Sequence, residues 1–282
     1  MDEPAGQLLP ILTAHLFPRI ENLLIKLLHS LSPEEWQLQT VSPRWKVKDV
    51  AAHLLDTQLR KLSLIRDGCA LPSPPEAGPP FDLVALINRL NQEGVAVYGR
   101  LSPPVLIELM ELASRQSAEF HQSLDPFAEA AFPVSWAGEG ASKNWFDTAR
   151  EFTERWHHQQ QIRLATGRPG IMTPELYHPV LDCFLRALPH AYRNVQAEKG
   201  ALLRVDIAGD CGGTWLLLRE PDRWQLVAAS QSAPACRVSI PQEIAWRVFT
   251  KGIDRSAAEA QSTVEGDRRL AEPVLSLVAI VG

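Results

Sequence analysis

Residues 143–166 read KNWFDTAREFTERWHHQQQIRLAT, followed by Gly167 and, two residues on, Pro169. No glycine or proline interrupts the run, and the Gly and Pro that close it are the usual end of a long helix. Glu154 and His158 are four residues apart within it, so on a helix they stand one above the other on one face. A carboxylate and an imidazole in that arrangement can share a cation, and their oxygen and nitrogen donors suit zinc, nickel, iron or manganese. The competing reading is a helix-stabilising surface pair. His157, three residues after Glu154, is the rival of His158 because that spacing also permits shared coordination.

A third ligand has to come from another element. Upstream, WKVKDVAAHLLD (residues 45–56) places His53 in mid-helix among apolar neighbours. Trp45, Asp49 and His53 share a face if that helix begins by Trp45. The alternative is a satisfied core histidine. Three protein ligands would leave a coordination position for water or substrate, as catalytic metal sites do.

The surrounding sequence is helical to about residue 200. Leucines and isoleucines from Leu8 to Leu28 recur three and four apart and predict a helix over 5–30, delayed or kinked by Pro10 and Pro18. Ser32-Pro33-Glu34-Glu35 opens a short helix. Further helices are expected over 47–67, 81–100, 103–123 and 174–197, with a proline-rich loop at 70–80 and a long loop at 125–142. After Gly200 the pattern changes. LLRVDIAG, TWLLLRE, RWQLVAAS and CRVSI are short, rich in branched and aromatic residues and separated by Gly, Pro and Asp, so they read as strands of an antiparallel sheet. Helices follow at 241–252 and 267–281, the latter capped by Asp267. The expected fold is mostly α with a smaller α+β part: a helical bundle over 1–170, a linking helix over 171–199 and an α+β unit over 200–282.

Composition excludes several classes. Hydrophobic residues make up 45% of the 282 and charged residues 22%, and the formal charge is −5. That is a globular balance with no basic stripe, so nucleic acid is not an expected partner. The N-terminus is acidic and proline-broken, which does not fit a signal peptide. No run approaches the roughly 18 apolar residues of a membrane span. Cys69, Cys183, Cys211 and Cys236 form no CxxC pair, so reduced thiols are expected. Together these features predict a cytoplasmic protein; a small-molecule substrate is expected only from the metal site and the resemblance given below.

Two motifs carry a resemblance. WKVKDVAAHLLD resembles the early-helix motif of the DinB-like metal-binding four-helix bundles, with its tryptophan, its "vkDv" and its "aHl". EFTERWHHQQQIR resembles their late-helix motif: a ligand, three residues, a histidine, then Gln-Ile. Glutamate as the first late-helix ligand is similar to the mycothiol-dependent maleylpyruvate isomerase branch, and TVEGDRRLAEPVLSLVAIV (residues 263–281) resembles the sterol-carrier-like domain of that branch. The resemblance implies His53, Glu154 and His158 as ligands of one divalent ion, zinc first and nickel, iron or manganese otherwise. It places the last ligand at His158, with Gln161 as a hydrogen-bonding partner of a ligand. It also implies mycothiol or another low-molecular-weight thiol as cofactor, and leaves a homodimer open. One departure stands out. The branch carries an Asp soon after its last histidine, where this chain has Gln159-Gln160-Gln161-Ile162, nearer the wider DinB pattern, so the substrate is not read from it.

Two other residues bear on a ligand. Arg247, in AWRVFTKG, lies in the general region where the resemblance implies an arginine suited to an anionic substrate or thiol; the alternative is a surface arginine. Trp136, in PVSWAGEG, could stack on a ligand from a lid or plug the end of the bundle. Trp45, Trp145 and Trp156 read as packing. His15, His29, His121, His178 and His190 have no partner at ligand spacing. The expected function is a metal-dependent isomerase or S-transferase using a metal-activated thiol. A metal-dependent hydrolase and a non-catalytic metal- and small-ligand-binding stress-response module are the alternatives.

Overall fold

A computed structural model describes residues 8–69 and 83–280; the proline-rich loop expected at 70–80 lies outside them. The helical part contains α1 (Phe17–His29), α2 (Val47–Lys61), α3 (Leu83–Tyr98), α4 (Pro103–Ser123) and α5 (Asn144–Thr166). α1, α4, α2 and α5 pack in a ring, each against the next, and α3 lies on α2.

α1 starts later than its leucine stripe suggests. Pro18 has no N–H, and its ring would clash with a carbonyl four residues back, so a helix beginning at residue 5 cannot run through it. In the first turn neither cost arises, and there Pro18 sits. Leu9 and Leu12, upstream of that start, are exposed. The inward stripe of α1 is Phe17, Ile20, Leu24, Leu27 and Leu28. The 125–142 loop contains one 3-10 turn (Ser135–Ala137), and Ser32–Glu35 leads only into a 3-10 turn, Glu35–Gln37. α2 passes at Leu62 into a π-helical turn and stops at Gly68, which has a φ of 67°.

α5 is the axis of the molecule. From Phe146 to Arg163 only Arg150 and Glu154 are not buried. Its polar residues therefore need partners from the protein. Gln159 Nε2 donates to the carbonyl of Ile20 at 3.0 Å, and Arg163 Nη2 to that of Leu23 at 3.2 Å. The Trp156 ring stacks on Tyr177 with centroids 4.2 Å apart, and its Nε1 donates to the Ile171 carbonyl.

The expected single helix over 174–197 is two: α6 (Pro174–Leu185) and α7 (Leu188–Ala191). Pro189 is the cause, since its ring would clash with the carbonyl of Leu185 in a continuous helix. The sheet comprises β1 (Leu202–Ala208), β2 (Gly213–Arg219), β3 (Trp224–Val227), β4 (Cys236–Pro241) and β5 (Thr263–Gly266), in the order β3-β2-β1-β4-β5. Three pairings are antiparallel, and β1–β4 is parallel, so the sheet is mixed. Residues 228–235 return the chain along the sheet so that β4 can join the free edge of β1. β5 has no run of alternating apolar residues to announce it. α8 (Gln242–Phe249), α9 (Arg255–Ala260) and α10 (Arg268–Leu275) complete the chain, and Asp267 caps α10 through the Arg269 amide.

One hydrophobic core runs through both parts. Phe17, Ile20, Phe152 and Trp156 of the helical ring join Tyr177 of α6, Trp246 of α8 and the inner sheet residues Leu203, Val205, Trp215 and Val238. Cys183, Cys211 and Cys236 are buried free thiols, whereas Cys69 is exposed. Among the described residues no helix is long and apolar enough to cross a membrane.

Candidate metal centre

α2 and α5 pack against each other, and their contact brings together side chains a hundred residues apart in sequence. One donor atom each of His53, Glu154 and His158 lie within 4.8 Å of one another. The His53 and His158 rings meet edge to face with centroids 4.6 Å apart. His158 Nε2 is 3.3 Å from Glu154 Oε2. Two donors bonded at about 2.0–2.2 Å to a shared tetrahedral ion stand roughly 3.4 Å apart, so this spacing suits one ion.

The polar atoms around the triad fit a cation. His53 is 4% exposed, and its Nδ1 has no hydrogen-bond partner. Burial, then the nearby His158 and Arg60, holds the His53 ring well below the ordinary imidazole range, so it is neutral. Burial pushes the Glu154 carboxyl up, but the His158 hydrogen bond and the fields of His157, His158 and Arg150 outweigh it and bring it to about 2. A neutral imidazole and an ionised carboxylate are the ligating forms. Gln161 Oε1 lies 3.0 Å from His158 Nδ1, where it can hold the ring with Nε2 toward Glu154. His157 is buried and lies tilted against His158 with ring centroids 3.9 Å apart, its Nδ1 is 3.2 Å from the Thr153 carbonyl, and it is not among the three residues whose donors converge.

Trp45 does not share a helical face with His53, because α2 begins at Val47. It sits in the preceding turn. Its carbonyl accepts from the Thr40 amide, Thr40 Oγ1 and Gln39 Nε2, and its indole lies 4.6 Å from the His53 ring and 5.7 Å from the His158 ring. It walls the centre. Glu154, whose side chain is 25% exposed, is the member of the triad that reaches solvent.

The structure does not bring Arg247 or Trp136 to this cluster. Arg247 Nε is held by the Gly252 carbonyl at 3.0 Å. Trp136 packs edge to face on Phe146, 6.0 Å between centroids, and joins two apolar clusters.

The same seam holds a second feature that residue spacing alone does not reveal. Lys61 Nζ lies 2.9 Å from Asp147 Oδ2 and 3.2 Å from Glu151 Oε1. Arg150 Nη2 also reaches Glu151, at 2.8 Å. Arg155 lies between Glu21, at 3.3 Å, and Glu151, at 3.7 Å, and donates to Thr57 Oγ1. Gln58 and Ser114 complete the shell of Glu21. Asp147, Glu151, Glu154 and His158 recur on one face of α5, so half of this pattern stands in the sequence; their partners on other helices do not. His121 stacks on Phe17 beside this network with both ring nitrogens lacking a partner.

Burial first, and then Lys61, lowers the His121 pKa from 6.5 to about 3, partly opposed by Glu151. Between those values the unfolded chain binds a proton that the folded chain does not, so stability falls as pH falls below about 6.5. The slope from this residue is about 1.4 kcal/mol per pH unit, or about 2 kcal/mol lost by pH 5. Urea unfolding of wild type and His121→Phe at pH 7 and pH 5 checks this: the variant should lose less by that amount, and equal losses would refute it.

The model of the family described as mycothiol maleylpyruvate isomerase N-terminal domain matches residues 17–163. A crystal structure of a histidine-to-alanine mutant of the mycothiol-dependent maleylpyruvate isomerase is similar at a TM-score of 0.49 and 13% identity, over 83% of this chain and 86% of that one. A crystal structure of the mycothiol-dependent maleylpyruvate isomerase gives 0.46 and 14% over the same shares. No curated protein matches. The family match runs from the first residue of α1 almost to the end of α5, more than half of the chain, and takes in every residue of the triad. The chain therefore belongs to the mycothiol maleylpyruvate isomerase N-terminal domain family.

Proposed function

We propose that this protein is a divalent-metal enzyme that uses a low-molecular-weight thiol, as its thiolate, either to isomerise a small electrophilic substrate or to add to it through sulfur as an S-transferase does. The observation that carries the reading is the convergence of His53, Glu154 and His158 from two separate helices. Family membership supports the thiol, and the similar crystal structures are of an enzyme described as mycothiol-dependent. Mycothiol is the first thiol to try.

His53, Glu154 and His158 would hold the ion, zinc first, and leave at least one position open. A bound ion would supply Lewis acidity, which lowers the pKa of a thiol and favours the thiolate at neutral pH. The protein's own groups set the stage. Gln161 fixes the ring orientation of His158. Trp45 closes one wall and keeps water from the imidazoles. Glu154 stays anionic and faces the side from which a substrate can approach.

The test is turnover of maleylpyruvate by metal-stripped and zinc-reconstituted protein, with and without mycothiol. Conversion should require both additions. Metal-dependent conversion or hydrolysis without thiol would replace this reading by a metal-dependent hydrolase. Metal binding without turnover would leave a binding module.

A further inference from the structure

Along the seam between α2 and α5 the polar contacts fall at three levels. His53 meets His158 and Glu154 at one end, Thr57 meets Arg155 in the middle, and Lys61 meets Asp147 and Glu151 at the other. The numbers rise along one helix as they fall along the other, as an antiparallel pair requires. Lys61 closes α2, about two turns, or roughly 12 Å, from His53.

The charges of this network balance. Lys61, Arg150 and Arg155 face Glu21, Asp147 and Glu151. Buried ionic groups add little net stability over apolar residues of the same volume, because desolvation offsets their attraction. They do differ from apolar residues in one respect: leucines and valines stay in contact if a helix slides, whereas ion pairs at about 3 Å do not. A slip of one residue moves a helix by 1.5 Å along its axis and turns its face by about 100°. A metal site tolerates ligand displacements of only about 0.2 Å.

We infer that Lys61, clamped between Asp147 and Glu151, is a positioning residue that locks the register of α2 against α5 and so presents His53 to Glu154 and His158. The inference rests on the metal reading of the triad.

Two charge-balanced variants test it: Lys61→Met with Asp147→Asn, and Lys61→Met with Glu151→Gln. Each removes the lysine together with one of its carboxylates, and Lys61→Arg is the conservative control. Cobalt(II) serves as the probe, read by its visible absorption and by titration, alongside urea unfolding. The expected result is a cooperative urea transition near that of wild type, with cobalt affinity lowered about tenfold or more and a weakened band. Lys61→Arg should bind close to wild type. A folded double variant with wild-type affinity and spectrum overturns the inference and leaves the metal site standing. If neither double variant folds, the network holds the fold and not the register, and the inference is likewise overturned. If wild type itself binds no cobalt, the metal reading fails first.

Discussion

His158→Ala protein should lose its divalent ion. Structural zinc binding of about 10–16 kcal/mol spread over four ligands gives roughly 2.5–4 kcal/mol per ligand, or about two to three orders of magnitude in dissociation constant. Elemental analysis after dialysis and zinc titration measure it. The informative comparison is with its neighbours. Gln161→Ala removes only the bond to His158 Nδ1 and should weaken binding by about tenfold. His157→Gln should retain the ion, because the donor atoms that converge are those of His53, Glu154 and His158 and not of His157. Loss of metal from His157→Gln together with full retention by His158→Ala would transfer the ligand role to His157. Retention by His158→Ala, His53→Ala and Glu154→Ala alike would remove the site altogether.

Arg155→Met should be among the most destabilising single changes in the chain. The guanidinium is 1% exposed and faces Glu21 and Glu151, themselves 4% and 7% exposed. Deleting one member of a buried pair strands the other charge, at a cost of about 3–5 kcal/mol, against a total of about 5–15 kcal/mol for a folded protein. Burial already pushes the Glu21 carboxyl up, and Arg155 opposes that most strongly. Without Arg155, the largest influence holding it down would be gone and the Glu21 carboxyl would shift further up. Glu21→Gln combined with Arg155→Met should therefore recover a large part of the loss. The exposed pair Arg255–Glu259 is the contrast, and Arg255→Ala should change the urea midpoint very little. A loss below about 1 kcal/mol for Arg155→Met would mean that the network is screened by water.

The site and the fold were legible to different degrees. Apolar periods mark α2 and α4, and α5 is marked by a run free of glycine and proline that Gly167 and Pro169 close. Over 174–197 the apolar repeat from Leu176 to Leu188 reads as one helix, and Pro189 divides it. β5 and α9 left no period to read, since both are short and lie largely exposed at the edge of the core. β5 exists because β4 offers it an open edge, a condition set by strands far away in the chain.

For the metal centre, the Glu154–His158 pair followed from helix geometry alone, since four residues make slightly more than one turn. His53 could be nominated only by type and by motif. What brought it to the pair was the packing of α2 on α5. The role of Trp45 likewise depended on where α2 begins, and the Lys61 clamp depended on which helix faces which. Local sequence governs spacing within an element because the backbone repeat is fixed. Distances between elements come from burial and charge pairing summed over the whole chain, and no short stretch contains that sum.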